Sequence, residues 1–363
     1  MINKLTHQIK KANVRLMPDR LFYDPTWIIL AVNNVCNLHC KMCDVGTQYT
    51  ESNFYDHMMG TKPLNMPLEL ITRIVDQTAE YFPKAKLGYA FTEPGVYPHL
   101  IESLAYADSK NLFTSVTTNG LMLAKQADDL CKAGLDELII SLDGPPAIHN
   151  VIRGNKHSFE KAMEGIEKLI AFRGRRPRIS VFCAITEWNI GHLVEFAEIF
   201  KDIPLKQMGF MHTVFTTESI SAAHNLVYGN AYEATPSNMK EIHLENYDLL
   251  KLYEELQALK AKKYSFPISF SPEIKTYEKL REFYQEPEKK IGKLCGDAFE
   301  NLMIKTDGTV IPAHSRCYKV TVGSLYKNTM HELWNASPLV AFRKDLLKAG
   351  GLFPACSRCC SAF

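Results

Sequence analysis

Apolar residues along this chain fall into two alternating kinds of run. Short β-branched or leucine-rich stretches occur at Trp27–Asn33, Lys86–Phe91, Leu112–Thr118, Leu135–Leu142, Arg178–Ile185 and Leu205–Met211. Most are nearly continuous, the pattern of parallel strands covered on both faces. Between them, apolar residues recur at helical spacing. Phe159, Ala162, Met163, Ile166 and Ile170 form one stripe, and Ile190, Leu193, Val194, Ala197 and Phe200 form another. Lys125–Ala133 also reads as helix. Six strand–helix units predict an α/β fold, a partial (β/α)6 TIM-like barrel short of the eight units of a closed one. Reactive groups then belong at the C-terminal ends of the strands and in the loops after them.

The flanks read differently. Residues 1–25 predict an amphipathic helix and a Pro-bearing linker before a barrel at 26–213. Residues 214–290 read as a lid and connecting helices. Within them 214–235 has little periodicity, while Leu249, Leu252, Tyr253, Leu256 and Leu259 mark a long helix. In the C-terminal unit, 291–363, Asp307-Gly308 between two apolar runs predicts a hairpin, and a helix is expected around His331–Lys348.

Charge changes this picture little. With 42 basic and 40 acidic residues, no electrostatic footprint for nucleic acid is expected. No apolar run approaches the ~18 residues of a membrane span. The N-terminal stretch lacks the apolar core of a signal peptide, so a cytoplasmic location is expected. Ten cysteines in a reducing compartment then need an explanation other than disulfides, and most of them lie in two sets near the two ends.

Cys36, Cys40 and Cys43, in CNLHCKMC, directly follow the first strand. Three thiolates are one short of a closed structural site, and an open metal position is where chemistry occurs. On these cysteines alone, zinc and fortuitous spacing compete. Further landmarks follow in order: FTEPGVYP at 91–98, TTNG at 117–120 and SLDGPPAIHNVIRG at 141–154. Over about 27–212 the chain resembles the radical S-adenosylmethionine (radical SAM) superfamily. That resemblance implies a [4Fe–4S] cluster on Cys36, Cys40 and Cys43 with one iron open to S-adenosylmethionine (SAM). It implies reductive cleavage of SAM to a 5′-deoxyadenosyl radical that abstracts hydrogen from a substrate. It places Met42 near the adenine, Glu93 on the SAM ammonium, and Ser141 and Arg153 on the ribose and carboxylate, with Asn119 and Asp143 alongside. The plainer alternatives are a packing Met42, a solvated Glu93, a turn cap at Asp143 and a simple turn at Asn119. Phe91-Thr92 stand where the family usually has two glycines.

Cys295, Cys317, Cys356 and Cys359 surround the hairpin, a C…C…CxxC set that resembles the SPASM/twitch type of auxiliary [4Fe–4S] domain. Cys317 comes later than the family's usual position near Ala313, so His314 is an alternative ligand, and Cys360 could replace Cys359. A structural zinc site is the competing reading. Cys131 reads as a buried thiol. Cys183 would donate hydrogen to a substrate radical if it points into the barrel, and otherwise is core. The resemblance implies an enzyme acting on a small polar substrate (sugar, aminocyclitol or nucleoside-like) or a peptide. Two-electron oxidation with the auxiliary cluster as electron acceptor is the leading reaction. Epimerisation, decarboxylation, carbon-skeleton change and a non-catalytic scaffold are its rivals. The expected partner is an electron donor such as flavodoxin or ferredoxin.

Overall fold

In the computed structural model, which describes residues 2–60, 62, 64–313 and 316–363, the apolar runs become strands. They are β1 Trp27–Leu30, β2 Lys86–Tyr89, β3 Thr114–Thr118, β4 Glu137–Ser141, β5 Arg178–Ile185 and β6 Gln207–His212. Further along come β7 Ile268–Ser271, β8 Asn301–Ile304, β9 Thr309–Ile311 and β10 Gly323–Ser324. All ten form one sheet in the order β10-β9-β8-β1-β2-β3-β4-β5-β6-β7. From β8 to β7 every pairing is parallel, and β8–β9–β10 is an antiparallel meander. The partial barrel is therefore present and stays open, with β7 and β10 as its edges.

Two additions were not read from the sequence. β7 lies within the stretch expected to hold only lid and helices, and extends the barrel sheet beside β6. β8, the first strand of the hairpin, pairs with β1, Trp27 opposite Asn301 through Leu30 opposite Ile304. The C-terminal unit thus continues the barrel sheet.

The register sorts side chains between two faces. Leu87, Val116, Leu138, Ile140, Val181 and Met208 are buried on the outer face beneath the helices. The ring of Phe210 meets that of Phe196, on the helix Leu193–Ile199, which identifies this face. On the inner face Ile29, Thr117, Ile139, Ser141, Phe182, Ala184 and Met211 are only half-buried. The concave side is thus a lined, accessible groove.

Helices differ from expectation at two places. Residues 218–228 form a helix, not a loop, capped by the Thr217 hydroxyl accepting from Ile220 N. Its buried face is Ile220, Ser221 and His224, too polar to print an apolar stripe. The expected helix over 331–348 is broken into Met330–Trp334 and Ser337–Lys348. Pro338 occupies the first turn of the second piece, where a missing N–H costs nothing. Among the described residues, no helix is long and apolar enough to cross a membrane.

Candidate active site

The first cysteine set sits on the loop after β1, and the loop is folded on itself. Cys43 N donates to Cys40 O, Thr47 N to Cys43 O and Tyr49 N to Asp44 O. Gly46 packs so closely that a Cβ there would lie 2.4 Å from both the N and the O of Cys40, so only glycine fits. The loop docks on the end of the helix Pro146–Arg153, where Lys41 N donates to Ile152 O. Gly154 closes that helix at φ +65, in the left-handed region, with His39 O against it.

Behind the loop lies a charged chain. Arg153 Nε donates to Asp143 Oδ2 at 2.5 Å, and its Nη1 approaches Cys40 Sγ at 3.7 Å. Asp143 Oδ1 accepts from Ala184 N, and its backbone N donates to His149 Nδ1. That acceptor role requires a neutral imidazole, and burial pushes the His149 pKa down to about 2. Burial also pushes Cys36 up to about 11 and Cys40 up to about 12. Without a metal these thiols hold their protons, so loading a cluster must release them.

Glu93 is buried and engaged. Its Oε1 accepts from Gly95 N and from the Thr118 hydroxyl, and its Oε2 from Asn119 N. Burial raises its pKa. Asn119 donates from its side chain to Asn37, within the first cysteine loop. Phe91 adopts φ +85, the glycine-type conformation, at a cost of about 1–3 kcal/mol. Its ring is held among Val45, Phe54 and Met58. Phe91 thus takes a backbone conformation that glycine favours. Of the residues expected to touch SAM, Glu93, Asn119, Asp143 and Arg153 have polar atoms tied to the chain itself. Ser141 is half-buried on the inner face, and Met42 is half-buried against the main core.

Of the two readings of Cys183, hydrogen donor in the barrel or core thiol, the register gives the core one. Cys183 pairs in register with Phe210 and so faces the helices, fully buried, with Asn189 Nδ2 3.6 Å from its sulfur. The inner face at this level belongs to Phe182 and Ala184. No hydrogen donation into the groove is available from that thiol. Cys131 is buried on the helix Leu123–Lys132.

The second set gathers from distant segments. Cys295, Cys317, Cys356 and Cys359 line one cavity with Asp297, Arg316 and Tyr318, and Cys360 is not part of the lining. His314 lies outside the described residues. Among the described residues no three cysteine, histidine or carboxylate groups close on a single-ion position. The four thiols share one cavity. Burial raises the pKa of Cys295 and Cys317. The Tyr318 hydroxyl lies 3.2 Å from Cys356 Sγ, and its ring stacks on His224 at 5.0 Å.

Arg358, inside CSRCC, anchors the stretch that carries Cys356 and Cys359. Its guanidinium donates to the carbonyls of Phe283, Lys289, Glu282 and Glu286, closing the end of the helix Tyr277–Gln285. Burial pushes its pKa down to about 10, still charged at neutral pH. Sequence reading passed over it, although an arginine between two candidate ligands was the available signal.

Comparison with known proteins decides the family. The model of the radical SAM superfamily matches residues 30–200, and that of an iron–sulfur cluster-binding domain, SPASM, matches 295–360. The chain thus carries a radical SAM domain followed by a SPASM domain. Its cofactors are accordingly SAM and [4Fe–4S] clusters. A GTP 3',8-cyclase of Helicobacter pylori strain HPAG1 is 30% identical over 39% of this chain and 42% of its own length. Molybdenum cofactor biosynthesis protein 1 of Homo sapiens is 29% identical over 50% of this chain and 27% of its own. The chain thus spans about half the length, or less, of the curated relatives it matches. SuiB of Streptococcus suis, solved bound to S-adenosylmethionine, superposes with TM-score 0.61 at 13% identity, covering 97% of this chain and 76% of that one. Native anSMEcpe with bound AdoMet gives 0.56 at 18% identity, covering 88% and 82%. At such identities these two radical SAM structures speak to fold alone.

Proposed function

We propose that this radical SAM enzyme carries out a two-electron oxidation of a small polar substrate, sugar-, aminocyclitol- or nucleoside-like, or of a peptide. In this reading Cys36, Cys40 and Cys43 hold the SAM-binding cluster, and Cys295, Cys317, Cys356 and Cys359 hold the auxiliary one. Bound there, cluster and SAM would supply hydrogen-atom abstraction, and an auxiliary cluster would supply the acceptor for the second electron of the oxidation. The domain layout is a barrel core at 26–213, a connecting stretch at 214–290 that adds β7 to the same sheet, and the auxiliary unit at 291–363, whose β8 continues that sheet beside β1. A cytoplasmic location and a flavodoxin or ferredoxin as donor complete the proposal.

One observation carries the oxidative reading. The second site offers four thiols around a cavity, so a cluster held there has every iron ligated by protein and is fitted to take an electron rather than bind substrate. Epimerisation loses its one nominated donor, because Cys183 faces the helices.

The chain's own residues act by positioning. Glu93 ties the turn after β3 to the loop after β2, and Arg153 ties Asp143 to Cys40. In this reading Glu93 receives the SAM ammonium, Ser141 and Arg153 meet its ribose and carboxylate, and Met42 lies near the adenine, with Asn119 and Asp143 alongside. The peptide alternative rests on SuiB, which was also solved with its precursor peptide SuiA. The nucleoside alternative rests on the relatives named GTP 3',8-cyclase.

Anaerobic reconstitution should give ~8 irons per chain with matching sulfide, two [4Fe–4S] clusters. Dithionite should then release 5′-deoxyadenosine from SAM. Stoichiometric zinc without sulfide would overturn the reading. With a turned-over substrate in deuterium oxide, oxidation gives a product lighter by two hydrogens; unchanged mass plus one solvent deuterium means epimerisation instead.

A further inference from the structure

Two cysteine sites far apart in the chain share one buried contact chain. Asp44 directly follows Cys43, and Arg316 directly precedes Cys317. Asp44 is fully buried; its Oδ2 accepts from the Ser237 hydroxyl at 2.6 Å, and its Oδ1 from Asn238 N at 2.6 Å. Arg316 Nη1 donates to the same Ser237 oxygen at 2.8 Å and lies 3.6 Å from Asp44 Oδ2. The guanidinium also sits over the Phe54 ring at 4.3 Å. Ser237 is thus the hinge pin of an Asp–Ser–Arg chain.

The surrounding backbone holds that pin in place. Thr216 and Ser237 exchange backbone hydrogen bonds. Asn53 N donates to Thr235 Oγ1, its side chain donates to Glu233 O, and Lys240 Nζ donates to Thr47 O. The same stretch, with Val214, Phe215, Thr216, Thr235 and Ser237, walls the cavity of the second cysteine set.

We propose that Asp44 and Arg316 are positioning residues shared by the two sites, and that their pairing across Ser237 sets the reduction poise of the auxiliary cluster. The inference rests on the proposed function and deepens it. A cluster's potential follows local charge and hydrogen bonding around its sulfurs. Arg316 lines the cavity, and its cation favours the more negative, reduced form. Asp44 opposes it from 3.6 Å, in a setting where water screens little. The first cysteine loop therefore contributes a charge to the second site.

The two charges have opposite signs, so their removal has opposite effects. In the reconstituted full chain, potentiometric EPR titration should show the auxiliary cluster easier to reduce in Asp44→Asn. It should be harder to reduce in Arg316→Gln, each by about tenfold in the reduction equilibrium, ~59 mV for one electron. Arg316→Lys keeps the charge and should stay near wild type, whereas loss of packing alone would not be rescued. Ser237→Ala, which removes the pin without a charge, should move in the direction of Asp44→Asn by less, and carries the test if that variant does not load iron. A wild-type protein without a second cluster overturns the functional reading itself. A second cluster whose potential shifts the same way, or not at all, in both charge variants overturns the pairing alone.

Discussion

Cys36, Cys40 and Cys43 lie within one short loop that folds on itself, whereas Cys295, Cys317, Cys356 and Cys359 are brought around a cavity from separate segments. The first arrangement depends on local turns, on Gly46 against Cys40 and on docking to one helix end. The second depends on the tertiary fold, with Arg358 securing two of its cysteines to a helix and a loop tens of residues earlier. A site built locally survives partial loosening of the molecule, and a site gathered from afar does not. The same contrast matches the chemistry: three thiols leave a position open, and four close it.

The sharpest way to break this comparison is to empty one site at a time. Changing Cys36, Cys40 and Cys43 together to Ala should leave ~4 irons and abolish SAM cleavage. Changing Cys295 and Cys317 to Ala should also leave ~4, but SAM cleavage should persist while product formation stops. Equal loss of cleavage in both would show that the sites do not divide the work.

Next in size is Arg358→Gln. Four carbonyls lose charge-assisted donors in a buried place, which should cost about 3–5 kcal/mol of stability. Denaturant unfolding reads the loss. Iron assay should find the auxiliary cluster depleted before the SAM-binding one; uniform depletion would contradict the local-versus-gathered distinction.

The smallest effect concerns acid. His149, behind the first site, has its folded pKa lowered to about 2 from 6.5, so the unfolded chain takes up a proton that the folded chain refuses. Its contribution is complete above pH 6.5 and is lost as pH falls, at about 1.4 kcal/mol per unit, or about 2 kcal/mol by pH 5. His224, stacked beside the second site, is lowered in the same direction by burial. His149→Asn should flatten the acid limb of a stability–pH curve; an unchanged limb would place the acid sensitivity elsewhere.

What the sequence made legible follows from how each feature is encoded. Six strands were readable because burial on both faces leaves continuous apolar runs. β7, ISFS between two prolines, is half polar and was passed over. The helix over 218–228 hid because its buried face includes Ser221 and His224, while Leu226 and Val227 point to solvent. The hairpin was announced by Asp307-Gly308, but its pairing with β1 leaves no local mark. In the site, cysteine spacing gave the thiols directly. The face on which Cys183 stands needed the register with β6, and the Asp44–Ser237–Arg316 chain joins residues that no sequence window contains together.

The union of β8 with β1 carries a consequence for biogenesis. During synthesis the strand that completes the second edge of β1 emerges roughly 270 residues after it, on the order of 15–55 s at ~5–20 residues per second. Throughout that interval the strand bearing the first cysteine loop has one bare flank, open to chaperones or to wrong strands. Delivery of iron and sulfide to that loop on the ribosome would meet an unfinished support. Arrival of the hairpin is the event after which the nascent protein can hold its cofactor on a completed frame.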